Sequence, residues 1–328
     1  MRRFPVPRTL TATPRSERRA TTREMRRMNI GVMGAGAVGC FFGGLLARAG
    51  HAVTLVGRPA LVEAVRAHGL RLQMKDGFDG QVAIGAATGP EALADADLVL
   101  FCVKSADTEA TGRAMLPHLK PGAVVLAMQN GVDNAERLTA VLGRPVVPVV
   151  VYVATDMAGP AHVRHHGRGD LILGTGPDSG RVAEMLRTAN IPATVSAGVT
   201  AALWDKLIIN CAYNAMSAVA QVTYGAMVTV PEVRAVMADV VAEAVAVARA
   251  RDIAVGDDIL DRVMALAAAM PNQYSSTAQD LARRKRSEID YLNGHIVRQG
   301  AALGIPTPAN RALLALVKLL EAKAALAV

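Results

Sequence analysis

The sequence predicts a two-part α/β protein, in which a parallel sheet covered by helices is followed by a part made only of helices. Three observations support this class. Short and continuously apolar segments alternate with helical segments up to Val153, as buried parallel strands require. A glycine-rich turn joins the first strand to the first helix. From Val199 onward the patterns are helical and are interrupted at glycine and proline positions.

Residues 1–27 stand apart from this folded chain. They hold nine arginines against two glutamates, a net charge of +7, and few apolar side chains, so we expect a disordered leader. An organelle transit peptide has a similar composition, but we favour an upstream start codon with Met28 as the functional beginning. The predicted divisions are a leader (1–27), a sheet domain (28–197) and a helical domain (198–328).

Charge and composition argue against several classes of partner. The chain carries a formal charge of +8, and after the leader is removed about +1 remains, which gives no basis for binding nucleic acid. No apolar run reaches the roughly 18–20 residues of a membrane span. The three cysteines lack paired spacing, and the histidines of HVRHH (162–166) have no thiol or carboxylate beside them. We therefore expect a cytoplasmic protein without a metal site, a membrane partner or a nucleic-acid partner.

The first predicted unit is a strand, a glycine-rich turn, a helix and a second strand. Apolar residues 30–33 lead into GAGAVG (34–39), a helical stretch runs to Ala49, and residues 52–56 form the next strand. A GxGxxG pattern in this position predicts a dinucleotide site of the Rossmann type.

Each glycine of this loop has a separate expected role. Gly34 permits the tight turn, Gly36 lets the backbone approach a pyrophosphate, and Gly39 lets the helix pack on the strand. The helix N-terminus offers free N–H groups and a partial positive charge to the phosphates. The candidate cofactor-binding residues of the loop are Gly34, Ala35, Gly36, Ala37, Val38 and Gly39.

Arg58 indicates which nicotinamide cofactor binds. NAD-binding proteins usually carry an acidic residue after the second strand, whereas this chain has VGRP, with Arg58 and no acid. A guanidinium suits a 2′-phosphate, so the sequence predicts NADP. An ordinary solvated loop arginine is the alternative.

The alternation of strands and helices continues towards residue 196. Parallel sheets bind ligands beyond the carboxyl ends of their strands, where this chain places Lys104 and Asn130. The predicted elements are strands at 95–105, 123–134 and 146–154, helices at 107–119 and 181–188, hairpin-like segments at 162–174, and an extended piece at 193–196.

The second part carries a polar row on an apolar helix. Helices are predicted at 204–220, 231–251, 257–270, 276–300 and 310–327. Lys206, Asn210 and Asn214 recur every four residues within WDKLIINCAYNAM (204–216), so they lie along one helix face. From the pattern alone this row either faces solvent or lines a pocket.

A second unusual segment is QYSSTAQDLARRKRSEIDYLNG (273–294). Ser276 and Gln279 fit a capping box, so Ser276 is a candidate helix cap. Glu288 lies among cations and is expected to stay ionised.

The ordered motifs GAGAVG, VK-S, QNG, LWDKLIINCAYN, SSTAQD and SEIDYLNG resemble the ketopantoate reductase (2-dehydropantoate 2-reductase) family. The resemblance covers residues 29–321. It implies a Rossmann domain followed by a helical domain akin to that of 6-phosphogluconate dehydrogenase. It also implies NADPH-dependent reduction of ketopantoate to pantoate, on the route to pantothenate and coenzyme A.

The resemblance assigns roles residue by residue. It implies that Lys206 is the catalytic acid and that Asn210, Asn214 and Ser276 bind the substrate. Asn130 matches a residue that touches both cofactor and substrate. Hydride transfer to C2 of a 2-oxo acid develops alkoxide charge, which a nearby ammonium stabilises before it delivers a proton.

Further positions match the cofactor side of the family pattern. They are Lys104, the backbone at Ala154, and Glu288. Glu288 is also expected to keep Lys206 charged and oriented if the two approach in the fold.

One residue departs from the family pattern. Ungapped counting along the lysine helix puts Tyr224 where family members commonly have another substrate-binding asparagine. Another branched 2-oxo acid is therefore an alternative substrate, and a nucleotide-binding sensor without turnover is a second alternative. A homodimer is possible.

Overall fold

The computed structural model describes residues 27–326, with the side chains of 325 and 326 left out. The predicted leader therefore lies outside the described residues, apart from Arg27. No helix in the described part is long and apolar enough to cross a membrane.

Within residues 27–326, strands dominate the first part and helices the second. The strands are β1 (Asn29–Met33), β2 (Ala52–Val56), β3 (Leu70–Gln73), β4 (Asp79–Val82), β5 (Gly85–Ala87), β6 (Leu98–Phe101), β7 (Val124–Ala127), β8 (Val147–Gly159), β9 (His162–Gly174) and β10 (Ala193–Ser196). The helices are α1 (Ala37–Arg48), α2 (Pro59–His68), α3 (Thr108–Met115), α4 (Asn134–Leu142), α5 (Ser179–Thr188), α6 (Val199–Ala220), α7 (Tyr224–Met227), α8 (Pro231–Arg249), α9 (Ile259–Ala269), α10 (Ser276–Ala282), α11 (Asn293–Leu303) and α12 (Pro308–Leu326). Short 3₁₀ turns lie at Pro90–Leu93, Ser105–Asp107, Leu116–His118 and Ile289–Tyr291.

All the strands join one mixed sheet in the order β4-β3-β9-β8-β7-β6-β1-β2-β5, with β10 beside β9. The run from β5 to β8 is parallel throughout. The long strands β8 and β9 form an antiparallel hairpin, and β4 is antiparallel to β3. This arrangement confirms the predicted α/β class with a helical second part.

The apolar strands are buried on both faces because their side chains alternate between two cores. In β6, Leu98 and Leu100 contribute to the core that includes α1, α2 and α5. Val99 and Phe101 contribute to the opposite core, under α3 and α4. A separate cluster forms the core of the helical part around α6, α8, α9 and α11.

Most predicted elements are confirmed, with shifted ends. β1, β2, β10, α5, α8, α9 and α12 lie where the sequence predicts them. The strands expected at 95–105 and 123–134 are only four residues long, because the chain turns into loops directly after β6 and β7.

One predicted helix was wrong, and the prediction left one segment of the sheet part unassigned. The single helix predicted at 276–300 is broken, because α10 ends at Ala282 and Arg284 adopts a left-handed φ of 54°. The chain then runs through a loop to Glu288 before α11 begins. Nothing was predicted between residues 59 and 94, where α2 and the short strands β3, β4 and β5 form.

Candidate active site between the sheet and the helices

The glycine-rich loop has the geometry that its sequence predicts. Gly34 adopts φ +99°, and a Cβ there would lie 2.7 Å from the backbone nitrogen of Val103. A Cβ on Gly39 would lie 2.5 Å from the carbonyl oxygen of Gly34, so α1 packs tightly on the loop. The backbone N–H groups of Gly34 and Ala35 both donate to Val56, which ties the loop to the end of β2.

Gly36 differs from the other two glycines because it faces open space. A Cβ on Gly36 would have no atom within 4 Å. Gly36 is also the N-cap residue of α1, where no side chain accepts from the first turn. The uncapped N–H groups and the open approach fit a pyrophosphate at this position.

Arg58 lies beside this loop at the end of β2. It is exposed and forms the N-cap of α2. The preceding Gly57 is so close to the loop that a Cβ there would lie 2.9 Å from that of Ala35. No acidic residue occurs between 52 and 58. Arg58 therefore lies at the edge of the sheet where dinucleotide-binding folds place the ribose.

Glu288 joins the loops after β6 and β7 to the helical part. Its Oε1 accepts from the backbone N–H and the hydroxyl of Ser105, both at 3.0 Å. Its Oε2 accepts from the Asn130 side chain at 3.2 Å and from the Lys104 ammonium at 3.5 Å. Three predicted residues, Lys104, Asn130 and Glu288, are thus brought together.

Two residues of this network were missed by the sequence reasoning. Lys104 also donates to Asp280 at 2.8 Å, and the carbonyl oxygen of Asn130, 3.0 Å from the Ser105 hydroxyl, is a second acceptor for its one proton. Ser105 and Asp280 stand in the motifs VK-S and SSTAQD, which was the available signal. Burial lowers the pKa of the Lys104 ammonium, but Glu288 and Asp280 outweigh it and the pKa is raised.

Lys206 points from α6 towards the sheet. Its ammonium donates to the carbonyl oxygen of Val151 in β8 at 2.5 Å and lies 5.9 Å from the ring centre of Tyr152. Burial lowers its pKa to about 8, while Glu288 acts to raise the pKa and Arg168 to lower it. Lys206 makes no ion pair with Glu288 within the described residues, so the expected direct orientation by Glu288 is absent.

The polar row on α6 turns inward. Lys206 and Asn210 are half-buried, and Asn214 is 2% exposed. The Asn214 side-chain nitrogen lies 3.4 Å from the hydroxyl of Ser276, while its side-chain oxygen is buried without a partner among the described residues. A buried carboxamide oxygen without a donor is costly unless a ligand supplies one. The row therefore does not form a fully solvated face, and a substrate pocket beside it stays a prediction.

The capping interpretation of Ser276 was wrong by one residue. Ser275 is the N-cap of α10, and its hydroxyl accepts from the backbone N–H of Ala278 at 3.0 Å. The hydroxyl of Ser276 is therefore not needed for capping and faces Asn214 instead.

Tyr224 does not lie on the lysine helix. α6 ends at Ala220, where Gln221 adopts φ +52°, and Tyr224 begins the short helix α7. Its ring is buried against Tyr213, with ring centres 4.5 Å apart. The uninterrupted helix assumed in the counting is thus absent.

A cavity of about 490 Å³ opens near the far end of α6. It lies between the β8–β9 hairpin, the C-terminus of α6, and α10 with its preceding loop. Its lining residues are Asp156, His166, Gln221, Asn272, Gln273, Tyr274, Ala278, Gln279, Ala282 and Arg283.

Ala154 and the histidines of HVRHH lie on the β8–β9 hairpin. Ala154 is buried in β8 opposite Gly167 of β9. His166 donates through Nε2 to Asp156 at 2.8 Å, so a carboxylate does accompany the histidines of HVRHH. No group of three or more His, Cys, Asp or Glu side chains that could hold a metal occurs in the described part of the chain.

Comparison with known proteins identifies the family. Residues 30–178 match the family described as "Ketopantoate reductase PanE/ApbA", and residues 199–321 match its C-terminal counterpart. A 2-dehydropantoate 2-reductase of Halobacterium salinarum is 37% identical over 305 residues, covering 90% of this chain and 99% of that protein.

Solved structures agree with this match. A PanE/ApbA family ketopantoate reductase of Ralstonia eutropha is 54% identical, with a TM-score of 0.88 over 91% of this chain and 100% of that one. A D-mandelate dehydrogenase bound to NADH and anilino(oxo)acetate shares the fold at 23% identity, with a TM-score of 0.85 over 91% of this chain and 100% of that one. The chain belongs to the ketopantoate reductase family.

Proposed function

We propose that the protein reduces 2-dehydropantoate (ketopantoate) to pantoate with NADPH, as a step towards pantothenate and coenzyme A. The observation that carries this proposal is the Lys206 ammonium. It is withdrawn from water, is held by a backbone carbonyl oxygen, and has a pKa of about 8, close to the pH at which it would act as an acid. Membership of the family supplies the substrate class.

Residues of both parts of the chain would hold the cofactor. Residues 34–39 would receive the pyrophosphate at the N-terminus of α1, and Arg58 would bind the 2′-phosphate, which favours NADPH over NADH. Lys104, Asn130, Glu288 and the backbone at Ala154 would lie towards the nicotinamide. When bound, NADPH supplies the hydride.

The chain's own residues would bind the substrate and supply the proton. Asn214 and Ser276, which lie side by side, would hold polar groups of the 2-oxo acid together with Asn210. Lys206 would stabilise the charge that develops on the C2 oxygen and then protonate it. Glu288 would act on Lys206 through its field, since it raises the pKa of that lysine without touching it.

Another branched 2-oxo acid is a second candidate substrate. The tyrosine at position 224 lies in the core, and a cavity of about 490 Å³ extends beyond the end of α6. Because Tyr224 is withdrawn into the core, this cavity leaves room at the distal end for the side chain of a different 2-oxo acid. We further propose a cofactor domain (28–197), a substrate domain (198–328) and a cytoplasmic location, with a homodimer to be tested by molecular mass in solution.

The experiment is NADPH oxidation at pH 7 with ketopantoate and a panel of other branched 2-oxo acids. We expect ketopantoate to give the highest kcat/KM and NADPH to be preferred over NADH by at least about tenfold, since Arg58 replaces the usual acid. Faster turnover of another 2-oxo acid would support the second candidate.

Lys206→Ala provides the matched control for catalysis. Loss of a positioned proton donor is expected to lower kcat about 10²–10⁴-fold, with NADPH binding retained. Unchanged turnover in Lys206→Ala would exclude the proposed acid, and NADPH binding without oxidation of any substrate by the native chain would indicate a sensor.

A further inference from the structure

The β8–β9 hairpin is distorted beside Lys206. Its register shifts between Tyr152 and Val153, opposite Arg168. Arg168 adopts a left-handed φ of 60°, and its neighbours Gly167 and Gly169 have φ of 151° and 140°. Two glycines at positive φ thus flank an arginine that also occupies a sparsely populated conformation, which commonly marks a position held for function.

The distortion places the Arg168 side chain over Tyr152. The guanidinium carbon lies 4.0 Å from the centre of the Tyr152 ring. Asp170 fixes the guanidinium through two hydrogen bonds, at 3.1 Å and 2.7 Å. A paired guanidinium stacked on an aromatic ring is a rigid arrangement that a lysine would not reproduce.

The backbone of the distorted segment is also held by the side chain of His165. The imidazole of His165 lies 2.6 Å from the carbonyl oxygen of Arg168 through Nε2. The same ring stacks on Phe41 of α1, with ring centres 4.7 Å apart. The conformation of Arg168 is therefore supported by the helix that begins at the glycine-rich loop.

Tyr152 connects Arg168 with the catalytic lysine. The ring of Tyr152 lies 5.9 Å from the Lys206 ammonium, and the carbonyl group that holds this ammonium belongs to the preceding residue, Val151. Arg168 and Lys206 thus carry two positive charges near the same aromatic ring.

We propose that Arg168 is a positioning residue for the reaction: its stack on Tyr152 fixes the segment of β8 that holds Lys206, and it sets a second positive charge on the ring that lies 5.9 Å from the Lys206 ammonium. This inference rests on the proposed function, in which Lys206 is the acid. No role for Arg168 follows from the GxGxxG loop, the polar row or the matched motifs.

The charges around Lys206 favour this role for Arg168. Glu288 attracts the proton of Lys206 from the helical part, whereas Arg168 opposes it from the hairpin. Four charged groups act on Tyr152, and they form two ion pairs. These pairs are Arg168 with Asp170 and Arg262 with Asp205. Burial is the main reason that the pKa of Lys206 is lowered, and Arg168 adds to it by opposing part of the effect of Glu288.

The test compares Arg168→Gln with Arg168→Lys in the full chain. For Arg168→Gln we expect the fall of kcat at high pH to move upward by about half to one pH unit, since a like charge near Lys206 is lost. Near neutral pH, kcat should fall about tenfold, while KM for the 2-oxo acid changes less than about threefold. Arg168→Lys should restore the position of the high-pH fall.

Arg164→Gln is the matched control, because Arg164 is a half-exposed arginine of the same strand that pairs with Asp156 instead. Its high-pH fall should coincide with that of the native chain. A high-pH fall that is unmoved in Arg168→Gln, whatever happens to kcat, would overturn the inference and leave Arg168 with a structural role only.

A second readout does not depend on turnover. The pH dependence of Lys206 acetylation by acetic anhydride, followed by peptide mass spectrometry, reports the titration of this lysine directly. If the pH midpoint of Lys206 acetylation moves upward in Arg168→Gln, the inference is supported even when ketopantoate is not the substrate. If the midpoint does not move, the inference is overturned even when ketopantoate is the substrate. Thermal unfolding of each variant shows whether it is folded.

Discussion

At the scale of single residues, the glycines of the loop 34–39 differ in what surrounds them. Gly34 needs a positive φ, and Gly39 is pressed against a carbonyl oxygen, so both are required by the fold itself. Gly36 has an ordinary φ of −86° and open space around its Cα. The fold alone tolerates a methyl group at Gly36, whereas a bound pyrophosphate would not.

Gly36→Ala should therefore separate folding from cofactor binding. We expect the thermal midpoint of the free protein to stay within about 1 °C of the native value, because the added methyl group meets no atom. The rise in midpoint caused by NADPH should be lost, although about 2.7 kcal/mol of stabilisation is expected for the native chain at 100 Kd of ligand. Differential scanning with and without NADPH measures both quantities.

Gly39→Ala is the contrasting variant. A Cβ 2.5 Å from the Gly34 carbonyl oxygen forces the loop to move, so the midpoint of the free protein should fall. A Gly36→Ala protein that still gains stability from NADPH would show that the cofactor does not approach the loop at this glycine.

At the scale of elements, periodicity predicted the helices and strands that carry a continuous pattern. The row on α6 was found because Lys206, Asn210 and Asn214 repeat once per turn. The edge strands β4 and β5 were not predicted, because they are short and partly exposed and lack an alternating apolar pattern. The break after α10 depends on a left-handed Arg284, which no glycine or proline announces.

The β8–β9 hairpin offers a prediction about acid stability. Asp156 is buried, accepts from Arg164 and His166, and lies 3.4 Å from Arg283, the residue that follows α10. Its hydrogen bonds with Arg164, more than any other contact, lower its pKa from 3.8 to about 2. The folded chain therefore gains stability from Asp156 above pH 3.8, and that stability disappears as the pH falls through about 2.

Asp156→Asn should lower the free energy of unfolding by about 1–2 kcal/mol at pH 7, because the half-exposed partners reduce the full value of the shift. The difference between variant and native chain should shrink as the pH falls from 3.8 towards 2. Urea unfolding of both proteins at several pH values measures this difference in the free energy of unfolding. Asp79→Asn is the control, since Asp79 forms an exposed pair with Arg71, and it should lower the free energy of unfolding by less. A loss of stability in Asp156→Asn that did not depend on pH would contradict the electrostatic explanation.

At the scale of the whole molecule, the site is assembled by contacts that cross from the sheet to the helical part. Glu288 lies 183 positions from Ser105 and 158 from Asn130 in the sequence. Glu288 and Asn130 were predicted through the motifs and Ser105 was not, and the hydrogen bonds among the three depend on how the two parts pack. The lowered pKa of Lys206 was likewise not predictable, since it results from burial against β8.

The tryptophan of this chain reports on that packing. Trp204 is the single tryptophan in the sequence, and it is 3% exposed on α6. Its ring meets the edge of His295, with ring centres 5.7 Å apart, and His295 lies 3.5 Å from Asp133 of the sheet part. Trp204 fluorescence therefore changes when the helical part separates or unfolds.

Two acidic residues that bind Lys104 should contribute very differently to this packing. Asp280 forms one ion pair with a half-exposed lysine, so Asp280→Asn should lower the free energy of unfolding by at most about 1 kcal/mol. Glu288 is buried and accepts from Ser105 and Asn130 as well, and a glutamine amide turned to these groups would leave donors facing donors. Glu288→Gln should cost about 2–3 kcal/mol in urea unfolding followed by Trp204 fluorescence at pH 7. Equal losses in the two variants would mean that charge attraction to Lys104, rather than the buried hydrogen bonds of Glu288, holds the helical part against the sheet.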